Sequence, residues 1–184
     1  MYMAALPLSD DERLDGLLLR IQNGDTGALS ELYKETSSGV YSFALSILKN
    51  REDAEDVLQE VFMAVFRSAR LYRPHSNPKA WLMTLTKNFA IDALRKRKRR
   101  SSIDLTQTAD FSDILGIEDR MVINECLNTL SDEERNIVVL HAVTGLKFRE
   151  IAQILELPIG TVSGKYNRSL KKLEEALRKG GVLE

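Results

Sequence analysis

The chain has 184 residues, of which 43% are hydrophobic and 29% charged, and its formal net charge is −1. This composition is typical of soluble globular proteins and excludes a wholly disordered chain. The single cysteine, Cys126, excludes an intramolecular disulfide and predicts a reducing, cytoplasmic compartment. The sequence has no run of about 18 apolar residues, so we expect no membrane span. It also lacks a phosphate-binding glycine loop and a metal-ligand cluster, so we expect no cofactor and no enzymatic activity.

The charges are sorted into four blocks of alternating sign. Residues 1–64 contain 5 Lys or Arg against 12 Asp or Glu, and residues 65–100 contain 11 against 1. Residues 101–134 contain 1 against 9, and residues 135–184 contain 9 against 5. Segregated charge creates local fields that select partners. The two basic blocks therefore predict two contacts with a polyanion.

Apolar residues recur at helical spacing almost throughout, which predicts an all-α fold. We expect two small helical domains, at residues 10–100 and 118–184. Residues 101–117, rich in Ser, Thr and Asp, form a candidate flexible linker. Its acidity suits folding back on the basic blocks or occupying a cationic channel in a partner, and the alternative is a solvated tether. The predicted helices are approximately residues 10–23, 25–36, 38–49, 51–71, 77–98, 118–129, 132–143, 147–155 and 159–178.

The predicted helix 51–71 has two different faces. Its apolar residues follow the i, i+3, i+4, i+7 rule, so one face must be buried. Asp53, Asp56 and Glu60 form a line on the opposite side, with Gln59 beside it. Acidic residues also favour the start of a solvated helix. Because a strongly cationic helix follows in the chain, we interpret this stripe as a surface for a basic partner.

The predicted helix 77–98 is cationic. Leu82, Leu85 and Phe89 mark its apolar face, whereas Lys87 and Asn88 lie on a polar face whose chemistry suits phosphates and base edges. Six consecutive basic residues, 95–100, end the segment and exceed what helix capping needs, which favours a nucleic-acid contact.

A turn-rich loop, residues 71–79, precedes this helix. Tyr72, Arg73, His75 and Asn77 are side chains that can stack on or hydrogen-bond to an unpaired base. Ordinary surface loops carry the same residue types, so the loop is a weaker signal than the basic run.

The C-terminal part predicts a helix-turn-helix. Ser131 and Glu134 have capping-box spacing, and the helix they open stops at Thr144-Gly145. A short helix, a turn at Leu157-Pro158 and a longer basic helix follow. This is the arrangement that places a recognition helix in the DNA major groove, although helix-turn-helix pairs also occur as purely structural units.

Three segments in this order, DAEDVLQEVF, WLMTLTKNFAIDALRKRKR and LSDEERNIVVLHAVTGLKFREIAQILELPIGTV, resemble bacterial RNA polymerase sigma factors of the extracytoplasmic-function (ECF) group. The resemblance covers residues 17–177 and implies a sigma domain 2 and a sigma domain 4. It implies promoter-specific initiation of transcription with core RNA polymerase and promoter DNA as partners, and an anti-sigma factor as a further partner. The linker would then run toward the RNA exit path.

The resemblance also implies roles for individual residues. Asp53, Asp56, Gln59 and Glu60 are expected to contact the clamp helices of the polymerase largest subunit. The residues expected to capture and hold the melted minus-ten element are Arg73, His75, Asn77, Lys79, Trp81, Lys87, Asn88, Asp92 and Arg95. The residues expected to read the minus-thirty-five element are Arg149, Thr161, Ser163, Lys165, Tyr166, Asn167 and Arg168.

Two positions depart from the family pattern. Glu156 replaces the usual glycine of the helix-turn, and Ser163-Gly164-Lys165 stands where a basic-Ser-Arg sequence is typical. Gly164 costs about 1 kcal/mol of helix propensity relative to Ala. It either permits close approach of the DNA or makes recognition depend on its neighbours.

Two other functions fit parts of this pattern. A stand-alone helix-turn-helix regulator would bind duplex DNA without polymerase, usually as a dimer. A polymerase-binding or anti-sigma-like adaptor would use the acidic faces alone. The near-zero net charge argues against strong DNA binding by the free chain.

Overall fold

The computed structural model describes residues 9–74, 76–100 and 120–179, and all regular structure in these ranges is helical, which confirms the predicted fold class. The helices are α1 (Asp10–Gln22), α2 (Thr26–Leu48), α3 (Arg51–Ser68), α4 (Pro78–Arg100), α5 (Arg120–Asn128), α6 (Asp132–Ala142), α7 (Phe148–Leu155) and α8 (Ile159–Lys179), with a 3-10 turn at Ala69–Leu71. None of the helices described is long and apolar enough to cross a membrane. The candidate linker 101–117 and His75 lie outside the described residues.

Helices α1–α4 form an N-terminal bundle with α2 at its centre. α2 packs against α1, α3 and α4, and its residues Leu32, Val40 and Phe43 are fully buried. Asp25 caps α2 by accepting from the Ala28 N–H, and Asn50 caps α3 in the same way. The capped, buried α2 thus supports both helices that carry the predicted binding residues.

α2 is one unbroken helix, so the prediction of two helices at 25–36 and 38–49 is wrong. The weak helix formers at residues 37–39 suggested a break, but helix propensity is a weak prior that tertiary packing overrides. Gly39 lies against Thr144 of the C-terminal part, and a Cβ added at Gly39 would be 3.2 Å from the Thr144 Cγ2 atom. The glycine therefore permits close packing instead of ending the helix.

Helices α5–α8 form a C-terminal bundle in which α6 packs against α7 and α8. The predicted capping box is confirmed: the Ser131 hydroxyl accepts from the Glu134 N–H, and the Glu134 carboxylate accepts from the Ser131 N–H. Arg135 is buried and donates to the carbonyl oxygens of Leu127 and Leu130 at 3.0 and 2.8 Å. This arginine ties the end of α5 to α6.

The two bundles pack against each other. α2 contacts α6, α4 contacts α7, and the buried apolar residues of both bundles form one continuous core. The fully buried Ser46 hydroxyl lies 2.8 Å from Asn136 Oδ1, and the Lys49 ammonium lies 2.7 Å from an Asp132 carboxylate oxygen. The faces of α2 and α4 that point toward α6 and α7 are consequently covered.

Candidate nucleic-acid interface

The acidic stripe of α3 faces solvent along most of its length. Ala54, Val57 and Val61 are at most 1% exposed and fix the orientation of the helix. On the opposite side the predicted partner-binding residues Asp56, Gln59 and Glu60 are all exposed. The stripe offers two carboxylates and an amide to a partner without any rearrangement of the helix.

Asp53 differs from the rest of the stripe because it is half-buried and already paired. Its carboxylate lies 2.8 Å from an Arg97 guanidinium nitrogen, and Arg97 also donates to the Leu48 carbonyl oxygen at 3.4 Å. Arg97 belongs to the basic run 95–100, and its contact with a polyanion stays a prediction. In this structure the arginine joins the end of α4 to the start of α3.

The loop before α4 is anchored by a buried tyrosine. Tyr72 is 3% exposed, and its hydroxyl donates to Asp15 Oδ1 at 2.6 Å. Gln22 donates to the carbonyl oxygens of Ala69 and Tyr72 at 2.9 and 3.1 Å, and the Trp81 ring packs against the Tyr72 ring at 5.3 Å. Burial, followed by the Asp15 carboxylate, raises the pKa of the Tyr72 hydroxyl, so it remains a donor. Stacking of Tyr72 on an unpaired base, one of the sequence expectations, is therefore wrong: this residue positions the loop.

Of the other predicted DNA-binding residues that the structure describes in the segment 71–79, one is exposed and two make contacts within the chain. Arg73 is exposed. Asn77 caps α4 by accepting from the Ala80 N–H at 2.7 Å, and Lys79 lies 3.4 Å from an Asp10 carboxylate oxygen. Their predicted DNA contacts stay predictions, with a helix-capping role now added for Asn77.

The outer face of α4 carries the exposed residues Asn88, Asp92 and Arg95, and Arg95 pairs with Asp92 at 3.2 Å. Trp81 is half-buried at the edge of this face. These side chains lie where a polynucleotide can reach them without any change in the fold.

Unlike the exposed polar residues of α4, Lys87 is mostly buried. Its side chain is only 13% exposed, and its ammonium lies 2.6 Å from Glu156 Oε1 at the end of α7. Ile91, one turn further along α4, is half-buried at the same contact and lines a cavity of about 340 Å³ between the bundles with Leu155 and Leu157. The polar face predicted for DNA is thus partly covered by the C-terminal bundle.

The predicted helix-turn-helix is present in α7, a short turn and α8. Glu156 ends α7 in the left-handed region, with φ of 58°, where glycine is favoured and other residues pay about 1 kcal/mol. The Leu157 N–H donates to the Ala152 carbonyl oxygen, and the N–H groups of Thr161 and Val162 donate to the Pro158 carbonyl oxygen. The turn therefore keeps its standard geometry although Glu156 occupies the glycine position.

The inner face of α8 packs on α6 and α7. Val162 and Ser169 are fully buried, and the Tyr166 ring packs on those of His141 and Phe148 at 4.8 and 5.1 Å. The resemblance predicts that Tyr166 reads DNA, whereas in the structure its ring packs on the inner face of α8. The spacing of Val162, Tyr166 and Ser169 is itself a signal for this inner face.

The outer face of α8 and the start of α7 present the polar residues. Arg149, Asn167 and Arg168 are exposed. Lys171 shares the outer face of α8 and is also exposed. It is absent from the predicted set, although its i, i+3 spacing from Arg168 could have identified it.

Three predicted residues of α8 are half-buried. Thr161 and Ser163 flank the exposed face, and the Ser163 hydroxyl donates to the Gly160 carbonyl oxygen at 3.2 Å. Lys165 lies on the other flank, where it pairs with Glu133 at 3.0 Å.

A cationic helix and a helix-turn-helix on one small helical chain are the features of a DNA-binding protein. Two family models match it: sigma-70 region 2 over residues 32–100 and sigma-70 region 4 over residues 120–173. The ECF RNA polymerase sigma factor SigK of Mycobacterium tuberculosis (strain ATCC 25177 / H37Ra) is 28% identical over 180 residues, covering 92% of this chain and 95% of the relative. The chain belongs to the sigma-70 family, in its ECF group, and the predicted resemblance is confirmed.

Other relatives agree with this assignment. The ECF sigma factor SigK of Mycobacterium sp. (strain KMS) is 26% identical over 174 residues, covering 89% of this chain and 90% of the relative. The sigma factor RpoE, solved in complex with the anti-sigma factor NepR from Bartonella quintana, is 25% identical with a TM-score of 0.65, covering 81% of this chain and 96% of that one. CnrH, solved with the cytosolic domain of CnrY, shares the fold, with a TM-score of 0.67 at 22% identity over 91% of this chain and 98% of that one.

Proposed function

We propose that this sigma factor binds core RNA polymerase through α3 and holds the two promoter elements with α4 and α8. The observation that carries the proposal is the stripe of Asp56, Gln59 and Glu60, which is exposed opposite a fully buried apolar face. Helix α4 of the N-terminal bundle and helix α8 of the C-terminal bundle are cationic at their exposed faces. One anionic and two cationic surfaces on one chain suit a protein that joins a polymerase to DNA.

The docking partner of α3 is a basic helical surface of the polymerase. Exposed carboxylates keep their hydration until the partner arrives, so they steer association and set orientation more than they add affinity. Asp53 contributes less than Asp56 and Glu60 because Arg97 already neutralises it. The proposed domains are residues 10–100 for polymerase and minus-ten binding and residues 118–184 for minus-thirty-five binding.

The minus-ten element is held as a melted strand. Extruding a base from the duplex costs a few kcal/mol, which contacts to the base and the phosphates must offset. Arg73 on the anchored loop and Asn88 and Arg95 on α4 are exposed and suited to those contacts. The Tyr72 anchor keeps the loop in position while the base is captured.

The minus-thirty-five element is read as a duplex. The exposed Asn167 and Arg168 lie on the outer face of α8, and Arg149 lies at the start of α7. Arginine and asparagine make the commonest specific contacts to guanine and adenine in the major groove. Lys171, further along α8, is placed for a phosphate contact.

An anti-sigma factor is the further partner we propose. The relative RpoE was solved in complex with its anti-sigma factor NepR. Such a partner would control how much of this chain is available to polymerase in the cytoplasm. The bond-making chemistry of initiation belongs to the polymerase, and this chain supplies recognition only.

The function is tested by transcription of fragmented genomic DNA with core enzyme, with and without the full chain, followed by sequencing of transcript starts. We expect new starts that share two upstream elements. Gel shifts on those fragments should show specific binding only when core enzyme is present. Tight specific binding by the chain alone would favour the stand-alone regulator. Loss of another sigma factor's transcripts without new starts would favour the adaptor.

A further inference from the structure

The contact between Lys87 and Glu156 joins the two bundles at functionally important positions. Lys87 lies on the polar face of α4, and Glu156 ends α7 in the turn of the helix-turn-helix. The ammonium and carboxylate are 2.6 Å apart, and the lysine side chain is 13% exposed whereas the glutamate side chain is 81% exposed. The carboxylate reaches across from the C-terminal bundle and pairs with a lysine whose side chain is largely covered.

Glu156 is held in an unfavourable backbone conformation for a side-chain-bearing residue. Its φ of 58° lies in the left-handed region, where glycine is preferred. A glycine there would keep the turn and remove the strain, so the turn itself does not require a glutamate. The side chain is accounted for by its contact, since Lys87 is its hydrogen-bond partner and lowers the pKa of the carboxyl group.

We propose that Glu156 and Lys87 form a latch that holds the C-terminal bundle over the DNA face of α4. The Ser46–Asn136 and Lys49–Asp132 contacts between α2 and α6 support the same closed arrangement. The Glu156 carboxylate is the anionic half of this pair, so it occupies the Lys87 ammonium as a DNA phosphate would. The DNA part of this inference rests on the proposed function, because it takes Lys87 as a contact to the melted strand.

The size of the chain shows why such a latch must open. A compact chain of 184 residues has a radius of gyration of about 16 Å and a diameter of roughly 40 Å. Elements at minus ten and minus thirty-five are about 25 base pairs apart, or roughly 85 Å along B-form DNA at about 3.4 Å per base pair. One chain can read both elements only after the bundles separate, and separation breaks the pair and releases Lys87.

The latch is tested by measuring how fast each lysine of the folded full chain is acetylated in a short pulse of an N-hydroxysuccinimide ester, with mass spectrometry as the readout. In the Glu156→Gln variant we expect Lys87 to react about 2–5-fold faster, the range for loss of a partly exposed ion pair. Lys165, which pairs with Glu133 inside the C-terminal bundle, should not change.

The matched control is Asp10→Asn, which removes the carboxylate partner of Lys79 within the N-terminal bundle. It should raise the reactivity of Lys79 and leave Lys87 as it was. Glu156→Gly relieves the turn and should raise Lys87 reactivity as much as Glu156→Gln does, with no loss of helix-turn-helix stability by circular dichroism. An unchanged Lys87 rate in both Glu156 variants would overturn the latch.

A second measurement separates the latch from the DNA role of Lys87. Binding of a fluorescent 15-nucleotide oligo-dT strand to the full chain should tighten about 2–5-fold in Glu156→Gln, and Lys87→Ala added to that variant should abolish the gain. If Lys87 labelling rises while oligo-dT binding is the same in all variants, the latch stands and the proposed DNA contact of Lys87 is wrong.

Discussion

The outer face of α3 and the polar face of α4 belong to one bundle but differ in access. On α3, Asp56, Gln59 and Glu60 are exposed. On α4, Lys87 is covered by Glu156 of the C-terminal bundle. The closed chain therefore presents its proposed polymerase-binding surface apart from the paired Asp53, and its proposed DNA-binding surface only in part.

This difference predicts an order for the steps of promoter binding. The proposed docking through α3 requires no rearrangement, whereas the proposed full use of α4 requires the C-terminal bundle to move. We expect a chain in this state to bind polymerase readily and DNA weakly, so that polymerase capture comes first. The near-neutral net charge of the chain acts in the same direction, because the anionic blocks oppose the approach of free DNA.

The open surface is tested most severely by reversing its charge. We expect Asp56→Arg with Glu60→Arg to weaken capture of core polymerase by at least about 100-fold, because two favourable charge contacts become repulsive. Co-purification and fluorescence titration with core enzyme measure the loss.

The matched control is Glu174→Arg with Glu175→Arg, the same change in charge near the end of α8. It should bind core enzyme as the unmodified chain does. If the α3 variant also retains its affinity, the exposed stripe is not the docking surface. The difference in exposure between α3 and α4 then says nothing about the order of binding.

The C-terminal bundle, which covers part of α4, is expected to lose stability in acid. Glu134 is buried, which would raise the pKa of its carboxyl group, but the Lys172 ammonium and the Ser131 N–H and hydroxyl lower that pKa from 4.5 to about 2. A carboxyl group with a depressed folded-state pKa contributes stability that is complete above pH 4.5 and disappears as the pH falls toward 2. We expect this contribution to be about 2 kcal/mol, after allowance for screening at the half-exposed Lys172.

Urea unfolding followed by circular dichroism between pH 6 and pH 2.5 measures this contribution. Glu134→Gln should lower stability at pH 6 and flatten the pH dependence. Glu174→Gln, which removes an exposed carboxylate paired with Arg178 on α8, should leave the curve unchanged. A Glu134→Gln variant with the full pH dependence would contradict the assignment.

The basic run 95–100 at the end of α4 contains exposed cations beside the paired Arg97, so the two kinds of residue can be compared within one helix. Replacing Arg95, Lys96, Lys98 and Arg99 by Ala should weaken strand binding by the polymerase complex roughly 10-fold to 100-fold, because these cations are exposed and lie outside the Asp53 pair, and Arg95 makes only a surface pair with Asp92. The salt slope of log affinity should fall by up to about 3, at about 0.7 for each phosphate that is no longer neutralised. Equilibrium titration of a melted promoter strand at several salt concentrations measures both quantities.

Arg97→Ala serves as the control for the run. Because Arg97 bonds Asp53 and the Leu48 carbonyl oxygen, its removal should lower the stability of the N-terminal bundle and leave the salt slope nearly unchanged. A drop in slope of about 0.7, the share of one phosphate contact, would place Arg97 among the DNA-binding residues.

The helices, the capping box and the helix-turn-helix were all predictable because they depend on spacing within a short segment. The unbroken α2 was not, since Gly39 is explained only by Thr144, more than a hundred residues away. Tyr72 and Arg97 show the same limit: each has a polar group suited to nucleic acid, and each is engaged by a partner that lies elsewhere in the chain, Asp15 or Asp53. Sequence spacing identifies which face a side chain occupies, and only the packing of the helices determines whether that face is free.

The smallest effect concerns the anchor beneath the exposed loop. Tyr72→Phe keeps the ring packed on Trp81 but removes the hydroxyl that donates to the buried Asp15. We expect a loss of about 1–2 kcal/mol in unfolding free energy and faster hydrogen exchange in residues 72–77. Tyr33→Phe, at a tyrosine 44% exposed on α2, is the control and should change stability by less than about 0.5 kcal/mol.

Promoter opening by the Tyr72→Phe holoenzyme tests whether the loop takes part in DNA binding. If the loop has no role in DNA binding, promoter opening by this variant will match that of the unmodified protein. If the anchored loop captures the extruded base, promoter opening falls a few-fold while polymerase affinity stays constant, because the α3 stripe is untouched by this substitution.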